Sequence, residues 1–571
     1  MNDVAFKPAA YRKVAEVLEG LDRDIETVYK KDGLSGLEQI PGVGKGIAYK
    51  IEEYLKKGKI KEYQDLKKKT PVDLEVLSAV EGLGPKKIKA LYENLKVKNL
   101  VDLEKVAKAG KIGTLPNFGI KSEQNILQGI EFLKKGKGRL LLGSAWSFVE
   151  KIKNRLKKLK GVKNVSEAGS TRRRKETIGD IDILVAVDNP KDAKGVADFF
   201  ASMPEVEKVI GKGDTKVSVQ TKMGFDMDLR LISLESWGSA LQYFTGSKEH
   251  NITTRKIAIS KGFKLNEYGV FKGKEKIAGE TEEGVYEKLG MEWVAPEMRE
   301  NSGEIELALI STKSDRQAPK NKFPKVIELK DIKGDLHCHS HWNINHGLQI
   351  KELIEKAVSL GYQYLGISDH TKFLAIEHGL NEKELLVQNE FIKTLNSHYT
   401  LNAIPFTLLH GCEANIMADG SIDISDDVLS KLNYVIAGVH SRMKMNKKDM
   451  TERIIKAMRN PNIDIIAHIT GRIIGRRDEY EIDFDEILQI AKETGTILEI
   501  NANPSRLDLK DTNIRKAKEA NVRMIISTDA HQSDQMDFMK YGVSQARRGW
   551  AEKGDIVNTW ETKKLLSLFK K

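Results

Sequence analysis

Two predicted strands in the first half of the chain carry acidic residues at alternate positions. Asp180 and Asp182 alternate with apolar residues in the segment GDIDILVAV, while Asp226, Asp228 and Arg230 share one face of FDMDLRLI. Residues two apart in a strand point the same way and lie about 6.5 to 7 Å from each other. Three carboxylates that converge in this way could hold two divalent cations for an in-line phosphoryl displacement. The alternative is a charged edge strand whose acids are only solvated.

A glycine turn and three arginines precede the first of these strands. The order Gly169-Ser170, followed by Arg172, Arg173 and Arg174, offers a tight turn, a hydroxyl and three guanidinium groups. Guanidinium groups match the geometry of phosphate oxygens and suit a triphosphate. Because this turn accompanies the paired aspartates, the pattern favours nucleotidyl transfer over a solvated strand.

The second half of the chain has a separate chemistry, because eleven of the twelve histidines follow residue 336. Seven short apolar segments, each a predicted strand, end in possible metal ligands: GDLHCHS, YLGISDH, TLLHGCEANI, YVIAGVH, IDIIAHITGR, TILEINAN and MIISTDAH. Helical stretches separate most of them, as in a parallel β/α barrel, here distorted to seven units. A lone histidine at a strand end is usually structural. This many donors at one end of a barrel predict a site for zinc, manganese or iron.

Glycine turns begin two predicted helices near the N-terminus. Gly42 and Gly44 open the first, in IPGVGKGIAYKIEEYL, and Gly82 and Gly84 open the second, in VEGLGPKKIKALYENL. Such turns expose backbone N–H groups at the positive end of a helix, where a DNA phosphate can bind whatever the base sequence. Helical hairpins can also serve only for packing, but the repetition favours DNA binding.

The bulk composition agrees with a polyanion partner. The chain has 571 residues, a net charge of +12 and a pI near 9.1. Such a charge favours nucleic acid binding, although a solvated lysine-rich surface would give the same number. No apolar run reaches membrane-spanning length, the N-terminus has no signal-like core, and two cysteines cannot form a disulfide framework. We therefore expect a cytoplasmic, nucleoid-associated protein, without a membrane partner, whose cysteines are buried.

The segments AGSTRRRKETIGDID, MDLR and YFTGSKEHNITTR resemble the palm and thumb signatures of the family X DNA polymerases, in the family's order. The resemblance implies that Asp180, Asp182 and Asp228 bind the catalytic Mg²⁺ or Mn²⁺. It implies a nucleotide site with these members: Ser170, Arg173 and Gly179 at the triphosphate, Tyr243, Phe244, Thr245 and Gly246 at the sugar, and Asn251 at the base edge. Arg255 would contact the template strand.

The first hairpin is similar to the lyase domain of the same family. Lys50 falls at the position of the family's Schiff-base lysine, and Lys7, Tyr11 and Arg12 fall at its 5′-phosphate site. A lysine amine attacks an aldehyde only when it is neutral, so the pKa of Lys50 would have to lie below its ordinary value. The alternative is a lysine that only touches a DNA phosphate.

The segments DLHCH, SDH, GCEANI, GVHS, AHITGR and TDAH resemble the motifs of the polymerase and histidinol phosphatase (PHP) domain, a phosphoesterase with three metals. The resemblance implies three sites for Zn²⁺, Mn²⁺ or Fe²⁺: the first with His337, His339, Glu413 and Asp529, the second with Glu413, His440 and His468, and the third with His370 and His531. In place of the family's aspartate the chain has WNINHG, where His346 or Asn345 would complete the third site. Arg472 would contact a substrate phosphate.

These features predict a multidomain chain with a helical N-terminal part, an α+β nucleotidyltransferase and a distorted (β/α)7 barrel. The expected boundaries are 1–65 for a helix-hairpin-helix lyase-like domain, 66–138 for fingers with a second hairpin, 139–235 for the palm, 236–312 for the thumb, 313–332 for a linker and 333–571 for the PHP domain.

The expected function is gap-filling DNA polymerisation in base excision repair. The resemblance leaves open whether the PHP domain acts as a 3′-to-5′ exonuclease, a 3′-end phosphatase or an abasic-site endonuclease. The expected partners are gapped or nicked DNA and dNTPs, bound by a monomer. The alternatives are a small-molecule phosphatase on an inactive polymerase scaffold, and a non-catalytic DNA scaffold.

Overall fold

The computed structural model forms two compact units, residues 1–135 and residues 136–571, each described here by itself. It describes residues 25–40, 42–57, 59–62, 85–115, 139–309, 323–345, 348–401 and 406–569, with isolated positions at 11, 14, 72, 77, 83, 118, 119, 122, 123, 126, 127 and 130. The predicted site residues Lys7, Arg12, Gly82, Gly84 and His346 lie outside this set.

The first unit is helical over its described residues. Its helices are α1 (Ile25–Glu38), α2 (Lys45–Lys57), α3 (Pro85–Leu95) and α4 (Leu100–Lys108). Gly33 interrupts α1 with a φ of 60°. The predicted glycine turn precedes α2, where Gly42 has a φ of 82°. Proline begins α3, as expected of a residue whose φ is already helical.

A five-stranded central sheet organises the beginning of the second unit. Its strands run in the order β2-β4-β7-β6-β5. Their bounds, with those of the short pair β1 and β3, are β1 (Leu140–Leu141), β2 (Val162–Glu167), β3 (Thr177–Ile178), β4 (Asp180–Val187), β5 (Val206–Lys212), β6 (Lys216–Thr221) and β7 (Asp226–Ser233). The helices α5 (Leu142–Leu156), α6 (Gly169–Arg172) and α7 (Pro190–Ala201) accompany the sheet.

The predicted alternation in β4 is confirmed. Ile181, Ile183 and Val185 lie in the apolar core on one face, while Leu184 packs against Ala168 and Ala240 on the other. Strand β5 lies at one edge of the sheet, where among the described strands it pairs with β6 alone, with two register shifts. Its side chains are mostly exposed.

A second, smaller layer follows the central sheet. It contains the helices α8 (Trp237–Thr245), α9 (Lys248–Ser260), α10 (Glu282–Lys288) and α11 (Glu304–Ala308), and the strands β8 (Lys264–Asn266), β9 (Gly269–Lys272) and β10 (Glu275–Ala278). Arg299 is buried here and donates to Glu282 Oε1 over 2.6 Å. Buried charges are stable when they are paired in this way.

The C-terminal part is a barrel of parallel strands. The strands are β11 (Gly334–Asp335), β12 (Tyr364–Ile367), β13 (Thr407–His410), β14 (Glu413–Asn415), β15 (Ile436–Gly438), β16 (Ile465–Ile466), β17 (Ile497–Asn501) and β18 (Met524–Ser527). Only Gly411 and Cys412 separate β13 from β14, so these two form one strand position. A parallel bridge between Cys338 and Ala530 joins the last strand to the first. The ring therefore has the predicted seven positions.

Helices surround the barrel strands. Their bounds are α12 (Trp342–Asn345), α13 (Leu348–Ser359), α14 (Glu382–Leu401), α15 (Asp426–Leu429), α16 (Lys447–Met458), α17 (Phe484–Thr494), α18 (Asp511–Glu519), α19 (Met539–Arg548) and α20 (Thr562–Leu566). Cys338 and Cys412 are buried, as expected, and neither forms a disulfide bond. Among the described helices, none has both the length and the apolar character that crossing a bilayer requires.

The segment before the barrel differs from the linker predicted there. Residues 310–322 lie outside the described residues, but residues 323–332 pack against the barrel. Ile327 is buried, and its N–H donates to the carbonyl of Ala551 over 2.9 Å. Ile327 and Ile332 belong to the barrel core, while Phe323 and Val326 pack against the core of the layer that contains α9.

Candidate active sites

The register of the central sheet brings the predicted catalytic acids together. Strands β4 and β7 are parallel, with Asp180 opposite Asp226 and Asp182 opposite Asp228. Asp182 is half-buried, and burial, together with the charges of Asp180 and Asp228, raises its pKa to about 6. This environment disfavours negative charge unless a cation compensates it.

A nearby lysine partly neutralises the negative charge of these acids. Lys216 Nζ lies 2.6 Å from Asp228 Oδ2. Among the described residues, every group of three or more ligand atoms within 4.8 Å of one another lies in the barrel. The three acids of the sheet are thus neighbours on one face, but they are not drawn into a tight cluster. Their carboxylate oxygens are suitable donors for Mg²⁺ or Mn²⁺.

The glycine turn before β4 is built around Asp182. Gly169 has a φ of 56°, and a Cβ atom there would lie 2.5 Å from Asp182 Oδ2. Only glycine combines this conformation with such a close approach. The hydroxyl of Ser170 is buried without a hydrogen-bond partner. It is free to donate to a ligand, and its contact with a triphosphate stays a prediction.

Residues 172–176, called the arginine loop below, connect this turn to β3. Arg172 donates to Glu282 and, over 2.6 Å, to Thr245 Oγ1. Arg173 donates to the carbonyl of Thr245 and to Glu300. The structure therefore joins two of the three predicted phosphate-binding arginines to the turn at the end of α8.

That turn carries the residues predicted to lie at the sugar, and α9 carries Asn251, predicted to lie at the base. Tyr243 and Phe244 pack edge to face, with ring centroids 5.1 Å apart. Gly246 has a φ of 71°. The amide of Asn251 donates to the carbonyl of Tyr243 over 2.6 Å, and Arg255 donates to the carbonyl of Asn251. Their contacts with nucleotide and DNA, like that of Gly179, stay predictions.

In the first unit, Lys50 lies beside Tyr11 and Glu62. Its Nζ donates to Tyr11 Oη and lies 2.6 Å from Glu62 Oε2. The hydrogen bond from Lys50 to Glu62 raises the pKa of the lysine above its ordinary value, with Tyr11 acting in the same direction. This is opposite to the shift that attack on an aldehyde requires. The lyase role of Lys50 stays a prediction.

The metal ligands predicted from the histidine-rich motifs meet at one end of the barrel. The first compact group consists of His337, His339, Glu413 and Asp529, all buried. His337 Nε2 is 3.4 Å from Glu413 Oε2, and His339 Nε2 is 3.2 Å from Asp529 Oδ1. Donors about 2.0 to 2.2 Å from a shared cation lie roughly 3 to 3.6 Å apart. The spacing therefore fits one divalent cation.

Glu413 lies at the centre of the whole constellation. Its Oε1 is 3.0 Å from His440 Nε2 and 2.9 Å from His468 Nε2, while its Oε2 is 2.7 Å from His370 Nδ1. Burial opposes ionisation of Glu413, but the charges of His440, His370 and His337 hold its pKa well below the usual range. The two oxygens of this ionised carboxylate therefore face different histidines, and the predicted bridge between two cations stays a prediction.

The third group differs in part from the prediction. His339, His370 and His531 form one compact group, but His370 also groups with Glu413 and His440. His370 therefore lies between the second and third predicted sites instead of belonging only to the third. His341 was not predicted as a site residue, and its Nε2 lies 3.2 Å from the carbonyl of His531.

Two buried polar residues behind the ligands were also not predicted. Glu499 accepts from His337 Nδ1 over 2.6 Å and from the N–H of His468 over 2.8 Å. Asn415 Oδ1 lies 2.8 Å from His440 Nδ1. Such partners orient metal-binding imidazoles. Their signal was present in the sequence, because each is a polar residue within a predicted, fully buried strand.

Arg472 lies at the boundary between the barrel and the central sheet. It is buried, and its two terminal nitrogens lie 3.2 and 2.6 Å from the carboxylate oxygens of Glu176 in the arginine loop. The same guanidinium also donates to the carbonyl of Leu507. The predicted phosphate contact of Arg472 stays a prediction, since these protein partners already occupy both terminal nitrogens.

Four known domain families match parts of the chain. A helix-hairpin-helix domain matches residues 1–60, and a SAM-like helix-hairpin-helix tandem matches residues 34–96 and 73–131. The DNA polymerase beta thumb matches residues 240–300, and the PHP domain matches residues 335–503.

Curated relatives cover the whole chain or between a third and two fifths of it. A protein named DNA polymerase/3′-5′ exonuclease PolX, from Bacillus subtilis, is 37% identical over 574 residues, which are 100% of this chain and 96% of the relative. A protein named probable phosphatase, from Clostridium acetobutylicum, is 31% identical over 34% of this chain and 78% of its own length. Another of that name, from Thermoanaerobacter sp., is 30% identical over 39% of this chain and 89% of its own length.

Proposed function

Since the chain belongs to the family X DNA polymerases that carry a C-terminal PHP domain, we propose that it fills short gaps in DNA and hydrolyses DNA 3′ ends. The central sheet would perform the nucleotidyl transfer and the barrel the hydrolysis. The observation that carries the proposal is the parallel register of Asp182 with Asp228, next to a glycine turn that only glycine can form.

In nucleotidyl transfer the oxygen of the primer 3′ hydroxyl attacks the α-phosphorus of a dNTP, and pyrophosphate leaves. Asp180, Asp182 and Asp228 would hold Mg²⁺ or Mn²⁺, which lower the pKa of the hydroxyl and neutralise the leaving group. Ser170, whose hydroxyl is unpartnered, and Arg173 would bind the triphosphate. Because the arginine loop also contacts Thr245, these groups would be positioned together with the sugar-binding turn.

In the barrel, Glu413 and its histidines would hold two or three divalent cations, supplying a hydroxide nucleophile near neutral pH. Glu499 and Asn415 would keep the imidazoles of His337 and His440 in the orientation that ligation requires. We favour hydrolysis of the terminal phosphodiester, as the name of the Bacillus subtilis relative states for that protein. The enzyme would act as a monomer on gapped or nicked DNA in the cytoplasm, at the nucleoid.

A second candidate is a small-molecule phosphatase on a silent polymerase part. It is favoured by one observation, namely that two relatives that match only 34% and 39% of the chain are named probable phosphatases. Hydrolysis of a simple phosphomonoester such as p-nitrophenyl phosphate, with no shortening of DNA, would support this candidate.

The decisive experiment uses a 5′-labelled primer annealed across a one-nucleotide gap, with Mn²⁺, with and without dNTPs. We expect extension with dNTPs and shortening without them. Asp182→Ala should abolish extension and spare shortening, while His339→Ala should do the reverse, because each residue lies in a different site. Extension that persists in Asp182→Ala would overturn the polymerase assignment, and shortening that persists in His339→Ala would overturn the hydrolase assignment.

A further inference from the structure

Three side chains of the barrel contact the arginine loop from outside the central sheet. They are Arg548 and Gln545 on α19 and Arg472 after β16. We propose that they are positioning residues of the polymerase site, which hold the arginine loop in the conformation that binds the triphosphate. This inference rests on the proposed polymerase function and adds a role for the barrel in nucleotide binding.

The first contact is to the backbone of the loop. Arg548 Nη1 donates to the carbonyl of Arg173 over 3.0 Å and lies 3.2 Å from Glu300 Oε1. Its other terminal nitrogen donates to Asp511, at the start of α18. Because only 3% of its side chain is exposed, Arg548 is a fixed donor anchored in the barrel.

The second contact is through a shared carboxylate. Glu300 Oε1 accepts from Arg173 Nε over 3.2 Å as well as from Arg548. The guanidinium predicted to bind the triphosphate and the guanidinium from the barrel therefore have one anionic partner in common. Removing Arg548 would leave Glu300 to pair with Arg173 more strongly, and Arg173 would be less available for a phosphate.

The third contact is at the end of the loop. Glu176 accepts from both terminal nitrogens of Arg472, and its Oε1 accepts from Gln545 Nε2 over 2.7 Å. Glu176 is only four residues from Asp180, the first acid of β4. The barrel thus holds the arginine loop at Arg173 and at Glu176, on either side of Arg174.

An interface that served only to join the barrel to the central sheet would not need these contacts on the arginine loop. Its neighbour on α19, Arg547, can be compared with Arg548. It lies 2.9 Å from Glu297 and donates to the carbonyl of Ile327, and these partners lie outside the arginine loop. Arg547 and Arg548 therefore lie on the same helix and each pairs with a glutamate, but of the two only Arg548 contacts the arginine loop.

The test compares Arg548→Ala, Gln545→Leu and the control Arg547→Ala in the full-length chain. The measurements are KM for the dNTP and kcat in single-nucleotide gap filling, 3′-end shortening without dNTPs, and thermal unfolding. We expect Arg548→Ala to raise KM about tenfold, the effect of losing one charge-assisted hydrogen bond. Its kcat should stay within about threefold of the parent's, with shortening unchanged. Arg548→Lys, which can keep one of the contacts, should have an intermediate KM.

Gln545→Leu should raise KM in the same direction, and Arg547→Ala should not raise it. Gln545→Leu decides the question by itself if Arg548→Ala does not fold. Parent-like KM values in the Arg548 and Gln545 variants would overturn the proposal, as would an equal rise of KM in Arg547→Ala, which would indicate a general interface effect. A parent chain that fails to extend the primer would instead overturn the proposed function.

Discussion

At the scale of single residues, Gly169 is the position where backbone conformation and catalytic geometry depend on each other most directly. Its φ is 56°, and the space that a Cβ would need is taken by the carboxylate of Asp182. A larger residue would have to change the turn, displace the acid, or both. Either change would separate the predicted triphosphate site from the predicted metal ligands.

We predict that Gly169→Ala lowers the rate of primer extension at least about a hundredfold, because even a 1 Å misplacement of reacting groups can cost that factor. Shortening of the 3′ end should be unaffected, since the ligands proposed for hydrolysis lie in the barrel. Gap filling by the purified variant measures the effect. Gly195→Ala is the control, because a Cβ at that helical glycine meets no atom within 4 Å. Equal extension by both variants would contradict the prediction.

At the scale of elements, helix α5, strand β2 and the arginine loop meet at Glu167. Its carboxylate lies 2.5 Å from Lys153 Nζ and 2.7 Å from Arg174 Nη2. Burial opposes ionisation, but the charges of Arg174 and Lys153 outweigh it and lower the pKa of Glu167 to about 2. Since this value lies below the usual 4.5, the ionised carboxylate stabilises the fold above pH 4.5. That stabilisation is lost as the pH falls towards 2.

We predict that Glu167→Gln lowers the free energy of unfolding by up to about 3 kcal/mol at pH 7, the equivalent of the pKa shift. The difference from the parent should shrink as the pH is lowered from 5 to 3. Thermal unfolding across this range measures it. Glu150→Gln should cost less than about 1 kcal/mol, because Glu150 also pairs with Lys153 but is 40% exposed. A loss in Glu167→Gln that does not vary with pH would refute the linkage.

The sequence was most informative about individual strands and the side chains that they place together. Alternation in β4 was enough to predict that Asp180 and Asp182 share a face, and strand ends rich in donors were enough to predict the barrel's metal-binding end. The first is a local pattern of period two, and the second is a short motif repeated at successive predicted strand ends. The pair of Arg472 with Glu176 was not predictable, because 296 residues separate the partners and no local pattern connects them. The buried position of Ile327 was missed because its covering residues come much later in the chain.

At the scale of the whole second unit, the central sheet and the barrel share apolar cores. Leu507 and Tyr541 of the barrel belong to the core of the central sheet, and Trp550 belongs to the core of the layer that contains α9. The Tyr541 ring packs edge to face on Trp146 of α5, with centroids 5.5 Å apart. These parts should therefore unfold together.

We predict that Tyr541→Ala lowers the temperature at which both activities are lost, by the same amount. Removing a buried aromatic ring costs about 3 kcal/mol or more, and here both parts lose contacts. The measurement is residual extension and residual shortening after heating. Tyr268→Ala should leave both temperatures unchanged, because the Tyr268 side chain is 58% exposed. Loss of extension at a lower temperature than loss of shortening would show that the parts unfold independently.

The exposed edge strand β5 has a consequence for self-association. An unpaired edge can accept a strand from another molecule, and Val209 and Ile210, which are 42% and 55% exposed, would make such pairing favourable. Lysines at positions 208 and 212 and the two register shifts oppose it, since like charges and an irregular backbone disfavour a continuous ladder between two copies. High salt, which screens lysine charge, is therefore the condition in which concentrated solutions of this protein should aggregate first.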